Sequence, residues 1–197
     1  MTVYTDIANS ALTKLGVAEI SASSDTNAQG TAVAEQYNKL RDDLIRSHPW
    51  NFATGRAQLS RDTSLTPNSE FDNTFILPDD FMRMLQVWDN DGGWGTIDYR
   101  IEILSSTTGE YLVSSAADIY IKYIRQIEDL SLAPVMFQET MAYMLARELA
   151  PALRTSRSLH ELMDQRFKES MRRARSIDAI EDGRDEFPVA SWVGDRG

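Results

Sequence analysis

The stretch Arg41-Asp42-Asp43-Leu44-Ile45-Arg46-Ser47-His48-Pro49-Trp50-Asn51-Phe52-Ala53 decides how this chain is organised. Leu44 and Ile45 sit among charges as they would on an amphipathic helix, and the helix is then stopped abruptly. Pro49 disfavours helical backbone at His48 and has no N–H to donate, so the helix is expected to end near Ser47. Trp50 and Phe52 follow at once. Two rings placed at a helix exit can bury on the order of a few hundred Å². Pro49, Trp50 and Phe52 are therefore read as a structural anchor, where the chain changes direction and is pinned to a core.

Upstream, Tyr4, Ile7, Ala8, Ala11, Leu12 and Leu15 recur at helical spacing, and Gly16 stands where a C-terminal glycine closes a helix. The polar segment 21–27 reads as a loop that supplies a cap. Val33, Tyr37, Leu40 and Leu44 then mark one face of a second helix.

Downstream, the period changes. Asp98, Arg100 and Glu102 alternate with Tyr99, Ile101 and Ile103, the pattern of a strand with one wet and one buried face. Residues 82–88 and 117–125 are further β-rich runs. Turn chemistry at Asp91-Gly92-Gly93 and Thr108-Gly109 makes the connections short, which implies antiparallel pairing. Pro78 belongs at the start or edge of a strand.

Helical spacing returns after Pro134, which suits the first turn of a third helix with Phe137, Met141, Met144, Leu145 and Leu149 as its apolar face. Pro151 is expected to end or kink it. Ser158 and Glu161 have capping-box spacing, and Leu162, Met163, Phe167, Ala174 and Ile177 give the buried side of a fourth helix. The expected fold is α+β. A four-helix bundle, from residues 1–54 and 128–180, carries an inserted antiparallel β-sheet (55–127) and an extended C-terminal tail (181–197), since helical stripes from both ends must be buried against one another.

The chain has 197 residues, 42 % hydrophobic and 25 % charged, with no cysteine and two histidines. Disulfides, thiol nucleophiles and thiolate metal sites are thereby excluded. No run approaches the roughly 20 apolar residues of a membrane span, and no secretory signal opens the sequence, so folding in the cytosol is expected and no membrane partner. The net charge of −10 is unevenly spread. Lys and Arg against Asp and Glu number 12 to 21 over residues 1–154, 6 to 3 over 155–177 and 2 to 6 over 178–197. One helix is basic, and an acidic segment follows it. Sequence-reading nucleic-acid binders need a basic footprint overall, which this chain lacks.

Few residues have catalytic spacing. His48 and His160 lie in no metal-binding pattern, no nucleophile elbow or phosphate-cradling loop occurs, and no catalytic residue, metal or cofactor is expected. The pairs Asp42-Asp43, Asp79-Asp80 and Glu128-Asp129 suit solvated turns and helix faces. Gly92-Gly93-Trp94-Gly95 reads as a hairpin tip whose Trp94 is either a buried ring or a partner contact. Arg166, Lys168, Arg172, Arg173 and Arg175 form the basic side of the fourth helix, and Phe187 and Trp192 lie in the acidic-then-apolar tail. These are the candidate subunit and partner contacts, because aromatics in a terminal segment are typical interface anchors.

Ala11-Leu12-Thr13-Lys14-Leu15-Gly16, Asp25-Thr26-Asn27-Ala28, the Arg41-Asp42 and His48-Pro49-Trp50-Asn51-Phe52 block, Leu77-Pro78-Asp79-Asp80 and Asp185-Glu186-Phe187 together resemble the tail tubular protein A family of short-tailed bacteriophages. The resemblance covers most of the chain in the same order. It implies a structural virion protein: a head-to-tail adaptor of twelve copies in a ring between the portal and the tail nozzle, near tail fibres, around a channel for double-stranded DNA. The charge distribution fits such a ring. A basic helix and an acidic tail are complementary between neighbours, and an acidic wall releases few counterions to passing DNA. Some members of the family are reported to degrade peptidoglycan, which is the alternative reading, although no motif for it can be placed on these residues.

Overall fold

The structure, a computed structural model, describes residues 2–65, 67, 70–89, 97–103, 109–154 and 156–181. Four helices and two antiparallel sheets make an α+β fold. Helix α1 (Val3–Leu15) is capped by Thr2 and closes at Gly16, whose φ of 64° is the left-handed conformation that glycine adopts without strain. Helix α2 (Ala28–Arg46) starts from Asn27, whose side chain accepts the Gly30 N–H at 2.7 Å. Ser47 ends it, two residues before Pro49.

Between α2 and the next helices run β1 (Thr54–Gln58), β2 (Ser60–Arg61), β3 (Asn73–Ile76), β4 (Phe81–Trp88), β5 (Tyr99–Ile103), β6 (Glu110–Ser114) and β7 (Tyr120–Arg125). The single sheet expected from the sequence is two. One has the order β1-β7-β4 and the other β2-β3-β6-β5. The chain switches sheets at Leu59, which interrupts an otherwise continuous extended run and donates its N–H to the Ile119 carbonyl at 2.8 Å. Leu59, Phe75, Val87, Leu112 and Ile121, drawn from both sheets, share one apolar cluster. Alternation reports which face of a strand is wet, not which sheet it joins, so the division was invisible in the pattern. Ile103, expected inside, is 66 % exposed at the far end of β5.

A second cluster unites the helices, with Ile124 of β7 and the half-buried Met82 and Leu85 of β4 packed into it. Helix α3 (Val135–Arg154) packs against α1, α2 and α4 (Arg157–Glu181). Its five expected apolar residues are all buried. Arg154 donates to the carbonyls of Leu15 and Gly16 at 2.8 and 2.9 Å, so the end of α3 also closes the end of α1.

Several expectations along α3 and α4 differ from the structure. Pro151 does not end the element, which continues to Arg154. A proline leaves the carbonyl four residues earlier without its helical donor. That carbonyl, of Arg147, is taken by Nδ1 of His160 at 3.0 Å. The cap of α4 is Ser156, not Ser158: its hydroxyl accepts the Leu159 N–H at 3.4 Å, while Glu161 pairs with Arg157 at 2.9 Å. The buried side of α4 is Met163, Ser170, Met171, Ala174 and Asp178, and Leu162 and Ile177 are exposed. Glu181 closes α4 rather than opening the tail.

Candidate interaction surface

The α2 exit is built as a joint. Leu44 has a backbone carbonyl in the last turn, and both Ser47 Oγ (2.8 Å) and Trp50 Nε1 (2.9 Å) donate to it. Trp50 is only 1 % exposed, with Phe137 edge-on at 5.1 Å and Phe52 against the same Phe137 ring at 4.8 Å. Pro49 therefore delivers the indole directly into the helical core. Thr54 donates its hydroxyl to the Trp50 carbonyl at 2.8 Å as the chain enters β1.

The last turns of α4 lock onto this joint through Asp178, a buried residue. Its Oδ1 accepts the Asn51 N–H at 3.0 Å, its backbone carbonyl accepts from Asn51 Nδ2 at 2.8 Å, and its Oδ2 lies 3.2 Å from His48 Nε2. Burial holds the His48 imidazole below its ordinary pKa of 6.5, with Arg175 and Arg83 acting in the same direction and the Asp178 carboxylate opposing them. The neutral ring donates from Nε2 to the carboxylate. Burial and a hydrogen bond to Asp80 push the Tyr123 phenol up to about 12, which keeps it a neutral donor at 3.0 Å from that carboxylate.

Beyond the joint, the start of α3 and the end of α4 present apolar side chains to solvent. Leu132 is 87 % exposed, Val135 78 %, Ile180 78 % and Ile177 39 %. The notch beside Trp50 is nearly filled, with about 10 Å³ of space. Next to it, a cleft of about 200 Å³ between α3 and α4 is lined by Met136, Glu139, Tyr143, Arg166, Glu169, Ser170 and Arg173. Met136 borders both.

The five cations of α4 do not share one face. Arg166 and Arg173 line the cleft, with Arg166 bonded to Glu169 at 3.2 Å. Lys168 pairs with Asp164 at 2.6 Å, and Arg172 donates to the Lys168 carbonyl at 3.3 Å. Arg175 turns to the α2 exit and reaches the Ser47 carbonyl at 3.4 Å. Trp94, Phe187 and Trp192 lie outside the described residues. Asp178 was missed by sequence reasoning, although its spacing from Met171 and Ala174 places it on the buried stripe. Asp42, read there as solvated, accepts from Arg41 Nε at 2.8 Å and Gln126 Nε2 at 3.1 Å.

Among the described residues, no group of three or more His, Asp or Glu side chains could hold a metal ion, and no helix is long and apolar enough to cross a membrane. No protein-family model matches the chain, and no curated protein matches it.

Proposed function

We propose that this protein is a structural head-to-tail adaptor of a short-tailed bacteriophage, a ring subunit of tail tubular protein A type that joins the portal to the tail nozzle. In this reading the helices form a four-helix bundle with the sheets as an inserted subdomain. Twelve copies enclose the channel through which double-stranded DNA leaves the head, and the protein resides in the virion at the head-tail interface, where tail fibres can attach.

The exposed apolar end formed by Leu132, Val135, Ile177 and Ile180 is the observation that carries the reading. Four large aliphatic side chains at one end of a helix pair are what a subunit interface needs, whereas single exposed apolar residues are ordinary. Two further features support it. The His48-Pro49-Trp50-Asn51-Phe52 block, the strongest part of the resemblance, is the joint that ties α2, α3, α4 and β1 together. The net charge of −10 suits a wall past which DNA slides.

Electron microscopy of the purified protein mixed with its portal tests this. A dodecameric ring seated on the portal is expected. A solitary monomer that ignores the portal at every concentration overturns the proposal.

A further inference from the structure

The α3/α4 cleft and the exposed Ile177 and Ile180 beyond it lie along one face of α4, and this track has a polarity. Arg166, Ser170, Arg173, Ile177 and Ile180 recur every three or four residues and so lie on a single stripe of α4. The stripe is cationic at its start and aliphatic at its end. Ser170, at its centre, is fixed to α3 by a buried contact of 2.7 Å with the Thr140 hydroxyl. The carboxylates in the cleft are already engaged. Glu139 lies 3.1 Å from Lys14, and Glu169 is held by Arg166. Arg173 has no ion-pair partner among the described residues.

The segment that follows Glu181 carries the matching order, with Asp182, Asp185 and Glu186 first and then Phe187, Val189, Trp192 and Val193. We infer that this track is the docking site for the C-terminal segment 182–197 of a second copy of the chain, laid parallel to α4 with Glu186 on Arg173, Phe187 and Val189 over Ile177 and Ile180, and Trp192 reaching past Ile180.

Direction decides between a neighbour's segment and the chain's own. A segment folding back from its own Glu181 runs antiparallel to α4. Its carboxylates would then lie on Ile180 and Ile177 and its aromatics on the arginines, which desolvates charge without pairing it. A parallel segment from another subunit meets both ends correctly. The lengths agree as well: Arg173 to Ile180 spans about 10 Å along a helix, and Glu186 to Val189 about 10 Å of extended chain. An exchange in which each subunit gives its segment to the next is a heterologous contact, which closes into a ring when the rotation permits. The inference rests on the ring reading above and names what one subunit inserts into the next.

Light scattering and sedimentation of the full-length protein, without portal, test it. Ile180→Glu and Arg173→Glu alter exposed positions on the track, and the paired substitution Phe187→Ala/Trp192→Ala alters the segment. Each variant is expected to keep the wild-type circular dichroism and to need at least about tenfold more protein to assemble. An equimolar mixture of Ile180→Glu with Phe187→Ala/Trp192→Ala is expected to form heterodimers, because one intact track and one intact segment remain between them. Wild-type assembly that all three variants match overturns this inference and leaves the ring reading standing. A wild-type protein that stays monomeric overturns both.

Discussion

Trp50 combines two roles that substitutions can separate. Its ring fills core space against Phe137, and its Nε1 donor satisfies the Leu44 carbonyl together with Ser47 Oγ. Trp50→Ala removes both and leaves a cavity, so a loss of roughly 3–5 kcal/mol is expected in chemical denaturation. Trp50→Phe keeps most of the ring while Ser47 still serves the carbonyl, and about 1 kcal/mol is expected. Equal losses for the two would mean that the hydrogen bond, rather than the packing, dominates. His48 carries a second residue-scale prediction. The unfolded chain binds a proton near the ordinary value of 6.5, whereas the folded protein takes it up only at lower pH. The unfolded state therefore holds more protons in that window, so this contribution to stability is complete above 6.5 and lost as pH falls towards the folded value. Melting temperature should decline as pH is lowered through 6.5, and His48→Gln should flatten that part of the profile. A slope unchanged in His48→Gln would assign it to other groups.

At the scale of elements, the Arg147 carbonyl that Pro151 leaves without a helical donor is met by the His160 side chain, thirteen residues on. If His160 replaces the missing helical donor to Arg147, then His160→Leu should cost about 1–3 kcal/mol, the penalty of an unsatisfied carbonyl. In a Pro151→Ala background the helix supplies its own N–H, and the same substitution should cost much less. Denaturant melts of the four proteins in this cycle measure the coupling, and additive losses would show that His160 acts elsewhere. The example also shows what was legible in the sequence. The apolar stripes of α1, α2 and α3, the Gly16 closure and the stop after Ser47 follow from local spacing and backbone chemistry, and all appear in the structure. What escaped was set by partners distant in sequence. His160 rescues a proline, Leu59 moves the chain into a second sheet, and Asp178 is buried because Asn51 and His48 receive it. Local periodicity counted the five α4 cations as one basic side, but 100° per residue separates Arg166 and Arg173 from Lys168, Arg172 and Arg175.

At the scale of the whole molecule, the last turns of α4 are held by the helical core of the described residues. Met171, Ala174 and Asp178 bury the last turns of α4 against α3 and the α2 exit, and Trp50 seals the core beside them. Removing residues 182–197 should therefore leave helix content in circular dichroism nearly unchanged. The same deletion takes away Asp185, Glu186, Phe187 and Trp192, the charged and aromatic groups best suited to anchoring an interface. Association with the portal, followed by co-sedimentation, should then be lost although the subunit is folded. Retained docking would move the contact to the sheets or to the face of α4 that carries Arg172. Collapse of the helix signal would instead make the segment part of the core. The two readouts together separate an interface from a structural strap, because only an interface loses docking while the fold persists.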